Sequence, residues 1–376
     1  MTERVRRWAA GLAVVAVAVV AGWGPAADTA PEKRKAAPTK PAPIIKPGNP
    51  STHGIREADL DGLRAVLQKT VDDKTLPGVS LLLARKGEIV FKEGFGDLKV
   101  EDSVKIASDT KPVAATVVMI VVDQGKLRLD DPLTKFVPEF QGTKAEKATV
   151  RQLLSHSAGI GDQFPGGWPQ ANTLAGFAAG VAKQGSLQEP GKFRYCTVGI
   201  DLACRCAEKA AARPFEELMR ERLWEPVGMK QSRFEWGGDA AAVPKEARER
   251  GEGRYVSGGG GLSSTLDDMA AFYQMHLNGG RYGDKQVLSR KAATEMHRKQ
   301  VAAPGVVYGL GFYLIGRGRD GGAGAFQHGG AFGTFCWADS NRQIVGILFS
   351  QAGQQKTAPV RAAVTKKVYE LIPAGR

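Results

Sequence analysis

The chain has 376 residues, with 52 Lys and Arg against 39 Asp and Glu, a formal charge of +13. An apolar content of 43% and a charged content of 24% describe an ordinary globular protein, long enough for one large domain or two. No zinc-finger, RNA-recognition or basic-zipper pattern accompanies the basic charge, so nucleic acid is not an expected partner.

Arg4, Arg6 and Arg7 precede an uncharged stretch from Trp8 to Ala27, and Gly24, Ala26 and Ala27 would allow cleavage. Residues 1–27 therefore read as an export signal. The alternative is an uncleaved membrane anchor, because about 20 apolar residues span a bilayer. Either reading places the remainder outside the cytoplasm, periplasmic or secreted. Residues 28–54 are rich in Pro, Lys and Ala and read as a disordered tether, since such a segment cannot offset its ordering entropy. The first 54 residues hold eight Lys/Arg against three Asp/Glu, a charge suited to an anionic cell wall and equally to plain solubility.

The folded domain is expected over 55–376. Leu60, Leu63, Leu67 and Val71 follow helical spacing, and Pro77-Gly78 stops that helix. Val79–Arg85 and Glu88–Phe91 read as antiparallel strands around Lys86-Gly87. Ser108-Asp-Thr-Lys111 follows, the chain's single Ser-x-x-Lys, ahead of an apolar run from Val113 to Val122. Residues three apart share a helix face, so the spacing puts the Ser108 hydroxyl beside the Lys111 amine. The first turn of that helix also offers free N–H groups. A run apolar on every side predicts a central buried helix, ending at Gly125. Taken singly, Ser108 could equally be a helix cap and Lys111 a solvated side chain.

Thr149-x-x-Gln152 is a capping box. Helical patterns then dominate to Lys299. Glu189-Pro-Gly191 turns before Phe193-Arg-Tyr195, a helix runs to Ala212, and the glycine run Gly258–Gly261 precedes a helix capped at Thr265. Strands are predicted at Val306–Ile315, Phe332–Ala338 and Ile344–Ser350, and a closing helix from Pro359 to Ile372. The order gives an α/β (α+β) fold, one antiparallel sheet built from both chain ends and flanked by helices, with an inserted all-helical lobe. Cys196, Cys204, Cys206 and Cys336 read as small buried residues, with a Cys196–Cys336 bridge as an open alternative; the spacing holds no zinc pattern. His53, His276 and His297 read as solvated, and His156 as structural and away from the chemistry. No Gly-x-Ser-x-Gly elbow is present.

Ser108-Asp-Thr-Lys111, Gly125–Pro132, Thr149–Gly159, Phe193–Thr197 and His328-Gly-Gly330, in that order and spacing, resemble the serine β-lactamase-related hydrolases. These include class C β-lactamases, D-alanyl-D-alanine carboxypeptidases, D-aminopeptidases and lactamase-like esterases. The resemblance spans Ile55 to Ile372. It implies an acyl-enzyme on Ser108, with Lys111 as an amine of adjustable protonation. Tyr195 would be a proton relay, its phenol lowered by Lys111 and by protonated His328. The backbone N–H groups of Ser108 and Ala331 would form an oxyanion hole, where losing one donor costs about 2.7–4 kcal/mol. His328, Gly329 and Gly330 would form the strand edge along which substrate lies. Thr197 stands where the family has Asn, and His328 where true lactamases have Lys, so efficient β-lactam hydrolysis is not implied. The implied partner is a small ester, amide or peptide, with cell-wall polymer as a further one and no cofactor or metal. A penicillin-binding or cell-wall-sensing protein with little turnover is the alternative. The loops at Gln163–Trp168 and Gly258–Gly261 would decide the substrate.

Overall fold

A computed structural model describes residues 40–165, 167–318 and 323–374. The proposed export signal lies outside the described residues. Nine strands form one sheet: β1 (Lys46–Pro47), β2 (Gly78–Arg85), β3 (Glu88–Gly96), β4 (Val301–Ala303), β5 (Val306–Tyr308), β6 (Tyr313–Arg317), β7 (Ala323–Gly329), β8 (Phe335–Asp339) and β9 (Ile344–Phe349). Their spatial order is β1-β3-β2-β9-β8-β7-β6-β5-β4. Only the β1–β3 pair is parallel; the other pairs are antiparallel. The two chain ends thus meet in the middle, where β2 pairs with β9 from Ser80↔Phe349 to Arg85↔Ile344.

Successive strand residues point to opposite faces, and both faces are covered. Val79, Leu81 and Leu83 of β2 pack with Leu60, Leu63 and Leu67 of α1 (Glu57–Asp72) and with Val360, Val364 and Val368 of α5 (Gln354–Leu371). Leu82 and Ala84 face the second core, shared with α2 (Thr110–Asp123) and α3 (Thr197–Ala211). Each fully buried side chain of this size contributes about 1.5–3 kcal/mol. From Thr110 to Val121 every residue of α2 is buried, as its apolar run predicts.

Several expectations need correction. Residues 40–54 are not a tether. Lys46–Pro47 pairs with Glu88–Ile89, Ile45 N donates to Tyr282 Oη at 3.1 Å, and Pro50–His53 forms a 3-10 turn. The stretch Val306–Ile315 is two strands, parted where Gly311 (φ +86°) brings the chain against Ala115 of α2. Strand β7 is not expected from the sequence because Ala-Gly-Ala has little strand propensity; His328 and Gly329 are its last two residues. Helix α5 starts at Gln354, with Pro359 inside it. His276, on α4 (Leu266–Leu277), is buried with Nε2 2.8 Å from Thr116 Oγ1. His297 stacks on Phe326 at 3.9 Å, and His53 lies 3.0 Å from Glu88. None of the three is freely solvated. All four cysteines are buried free thiols, so the Cys196–Cys336 bridge is absent.

Candidate active site

Ser108 sits in a 3-10 turn, Ala107–Asp109, that runs directly into α2. Its neighbour Ala107 has φ 45°, left-handed for a residue with a Cβ, a conformation that persists only where the surroundings enforce it. The enforcement is visible on both sides of the turn. Ile106 N donates to Leu262 O (3.0 Å), within a small sheet of Val104–Lys105, Leu262–Ser264 and Arg233–Phe234. Thr334 Oγ1 lies 3.0 Å from Ile106 O and 2.6 Å from Asp109 Oδ2. Gly330 belongs to the same clamp. A Cβ there would come within 2.2 Å of Ile106 O. Its small size therefore admits the serine turn.

One helical turn on, Lys111 is fully buried, and Nζ donates to Ser108 Oγ (3.0 Å), Thr197 Oγ1 (3.3 Å) and Gly259 O (2.5 Å). Its partners are hydroxyls and a carbonyl, not a carboxylate. Burial pulls its pKa down to about 8, with Asp201 and Asp162 opposing from further out. Gly259, within the glycine run, seats this amine. Asp201 Oδ1 accepts from Gly259 N (2.8 Å), fixing the peptide whose carbonyl receives Lys111. A Cβ at Gly259 would lie 2.5 Å from Thr197 Cγ2. Asp201 itself is fully buried, held also by Tyr255 Oη (2.9 Å), and burial raises its pKa to about 7.

The opposite wall is aromatic. Tyr195 lines the same cavity as Ser108, and Lys111 Nζ stands 4.8 Å from its ring centre. The ring is 37% exposed, yet the hydroxyl lies at the enclosed end beside Ser108, and burial there raises the pKa above a phenol's usual value. His328 is buried, and burial together with Lys111 lowers it to about 3. It is therefore neutral and lends no positive charge to Tyr195. The expected lowering of the phenol does not occur; Lys111 is the group whose proton is loosened. Tyr308 Oη bridges His328 Nε2 (3.2 Å) and His156 Nε2 (3.1 Å), and the His156 ring lies 4.5 Å from that of Tyr195. His156 is structural, but it abuts the chemistry instead of lying away from it.

A cavity of about 450 Å³ opens over Ser108, lined by Tyr195, Tyr313, His328, Ala331, Gln354 and Arg361. A larger one, about 860 Å³, lies on the helical lobe between Arg213, Trp224 and Arg250 and contains no activated nucleophile. Ser108, Lys111, Tyr195, Thr197, His328, Gly330 and Ala331 are thus brought together from three distant segments.

The family model named Beta-lactamase matches residues 63–370. The chain belongs to the beta-lactamase family. It is 29% identical to "Penicillin-binding protein 4" of Amycolatopsis lactamdurans over 73% of this chain and 80% of that one. It is 24% identical to "Esterase EstB" of Burkholderia gladioli over 85% and 98%. The crystal structure of a putative beta-lactamase from Bacteroides dorei DSM 17855 superposes with a TM-score of 0.70 at 26% identity, covering 82% of this chain and 98% of the other. The fold is the β-lactamase/transpeptidase type, and the family comprises hydrolases that include esterases and D-alanyl-D-alanine carboxypeptidases.

Several residues of this beta-lactamase-family site carried no sequence signal. Asp162 accepts from Thr197 N (2.8 Å) and Val198 N (3.0 Å), capping α3 from 35 positions away in the chain. Tyr308, Asp201 and Arg361 likewise reach the site only through tertiary pairing. A buried acid inside a helix, as Asp201 is, was the one clue available, because such a residue is rarely buried without a partner.

Proposed function

We propose that the protein is an exported serine hydrolase that opens an ester or amide bond through an acyl-enzyme on Ser108. The observation that carries this reading is the buried amine of Lys111, 3.0 Å from Ser108 Oγ, without a carboxylate to hold its proton. Neutral Lys111 takes the Ser108 proton as Oγ bonds to the substrate carbonyl carbon. The carbonyl oxygen, gaining charge, faces the N–H groups of Ser108 and Ala331. When the bond to the leaving group breaks, that group takes the proton of Tyr195, leaving phenolate beside the Lys111 ammonium. Water then attacks the acyl carbon and gives its proton back to Tyr195, while Lys111 returns its proton to the departing Ser108 oxygen. Protons balance over the cycle, and the transient phenolate–ammonium pair is the reason for Lys111 standing over the Tyr195 ring.

Thr197 keeps a hydroxyl on Lys111 where the family has an amide, which supports turnover. The neutral His328 supports a substrate other than a β-lactam, whose carboxylate it would hold weakly. Arg361, stacked 4.8 Å from the Phe335 ring centre, is the side chain that brings fixed positive charge to the cavity lining and suits a D-amino-acid peptide ending in a carboxylate. Export agrees with the similarity to penicillin-binding proteins.

The test is labelling with a fluorophosphonate. Modification of wild type at Ser108, with none in Ser108→Ala, is the expected result. No adduct on wild type would sink the proposal. A fluorescent penicillin that labels Ser108 and stays bound would favour the penicillin-binding alternative.

A further inference from the structure

Four glycines run from Gly258 to Gly261, and three are required by packing. A Cβ would lie 2.4 Å from Cys204 Sγ at Gly258, 2.5 Å from Thr197 Cγ2 at Gly259 and 2.8 Å from Trp236 O at Gly261. Gly260 differs. Its nearest neighbours would be Trp236 Cζ3 at 3.7 Å and the Ala107 carbonyl carbon at 4.0 Å, ordinary contacts at a φ open to any residue. The fold tolerates a side chain there, and the chain leaves the space empty. That space separates the indole of Trp236 from the turn that carries Ser108.

Trp236 is 47% exposed, an unusual setting for the largest apolar side chain. It is also fixed. Its backbone N–H donates to Gly261 O (3.3 Å) and its backbone carbonyl accepts from Ser257 N (3.2 Å). Behind it an aromatic row continues: Trp168 at 5.8 Å between ring centres, then Phe164 at 5.2 Å and Phe177 at 5.7 Å from Trp168. Next to the row lies a cavity of about 330 Å³ that Trp168, Trp236 and Tyr255 line together with Gln170, Asn172 and Asp239, so the apolar surface is that of the aromatic faces. Tyr195, the proton donor to the leaving group, lines the other cavity with His328 and Arg361. The two substituents of a carbonyl carbon on Ser108 must point apart, so the acyl side faces Gly260 and Trp236.

We infer that Gly260, Trp236 and Trp168 form an acyl subsite that selects substrates whose acyl group is large and apolar, a medium aliphatic chain or an aryl-alkyl group. This rests on the acyl-enzyme reading above. A rigid aromatic face gains from each buried methylene, and the missing side chain at position 260 gives the passage to it.

The experiment is a series of p-nitrophenyl esters, acetyl, butyryl, hexanoyl and phenylacetyl, with kcat/KM measured for wild type, Gly260→Leu and Trp236→Ala, alongside fluorophosphonate labelling. Wild type should prefer hexanoyl and phenylacetyl over acetyl by about tenfold or more. Gly260→Leu should lower that hexanoyl-to-acetyl ratio by about tenfold by filling the passage. Trp236→Ala should flatten the series by removing the wall, and it tests the same claim should Gly260→Leu fail to fold. Wild type that labels at Ser108 yet treats all four esters alike overturns the subsite and leaves the hydrolase reading intact. A ratio unchanged in both variants does the same. Wild type that neither labels nor cleaves any ester overturns both.

Discussion

Among the described residues one arginine and one lysine are buried, and they are treated in opposite ways. Arg205, on α3, donates to Glu208 (2.9 Å) and Glu252 (3.0 Å), a triad closed off from solvent in the helical lobe. Glu208 also accepts from Phe215 N at 3.2 Å. Lys111, on α2, has only neutral oxygens within reach of its amine. Arginine cannot shed its charge, so its burial demands counter-ions; lysine can, so its burial without them becomes a proton acceptor. The contrast teaches that an unpaired buried amine marks chemistry, while a paired one marks architecture.

The largest expected effect is Ser108→Ala, which should cut turnover by about 10⁶-fold, the scale of losing a serine nucleophile, as read from initial rates on the best ester. Lys111→Met and Arg205→Met then separate the two cations. Lys111→Met should abolish useful turnover, yet unfold in denaturant no earlier than wild type. The sign follows from its lowered pKa: folding holds the amine near 8 against an ordinary 10.5, so charging it opposes folding below pH 8. The same linkage makes wild type gain stability as pH rises from 8 to 10.5, where the unfolded chain binds more protons. Arg205→Met should do the reverse, losing about 3–5 kcal/mol in denaturant because Glu208 is left buried without a counter-ion and Glu252 keeps only Arg250, at 3.4 Å, while the folded fraction keeps its rate. Equal stability losses in both variants would erase the distinction.

Tyr195→Phe comes next, with acylation slowed by about 10²–10⁴ for an amide and less for a p-nitrophenyl ester, whose leaving group needs no proton. The smallest effect is a shift in pH profile. Asp201, Asp162, Cys196 and Asp109 all raise Lys111, Asp201 foremost. Asp201→Asn keeps an acceptor for Gly259 N and removes the charge, so the acid limb of kcat/KM should move to lower pH. A limb that stays put would take Asp201 out of the tuning.

The parts of this arrangement differ in how far the sequence reveals them. The central helix was legible because a run apolar on every side has no exposed face to offer, and the three-residue spacing put Ser108 and Lys111 together. The β2–β3 hairpin was legible from alternation around Lys86-Gly87. Tyr195 and His328 entered only through family resemblance, since a lone Tyr or His in a strand or turn says nothing by itself. The protonation states were not legible at all. They depend on packing that no local pattern announces: Lys111 is covered by Gly259, 148 residues away, and His328 by Tyr308, 20 residues away in the chain. Strand β7 is not legible because Ala323, Gly324 and Ala325 carry little strand propensity; a Cβ at Gly324 would lie 3.2 Å from Arg317 O and Ile315 O on β6.

The central claim is that Lys111, deprotonated inside the protein, activates Ser108. The most direct measurement is the second-order rate of fluorophosphonate modification of Ser108 from pH 5 to 10, in wild type and Lys111→Met. The account predicts a wild-type rate that climbs about tenfold per pH unit and levels near pH 8, against a slow rate in the variant without that inflection. A wild-type rate indifferent to pH, or a Lys111→Met protein modified as fast as wild type, would contradict it.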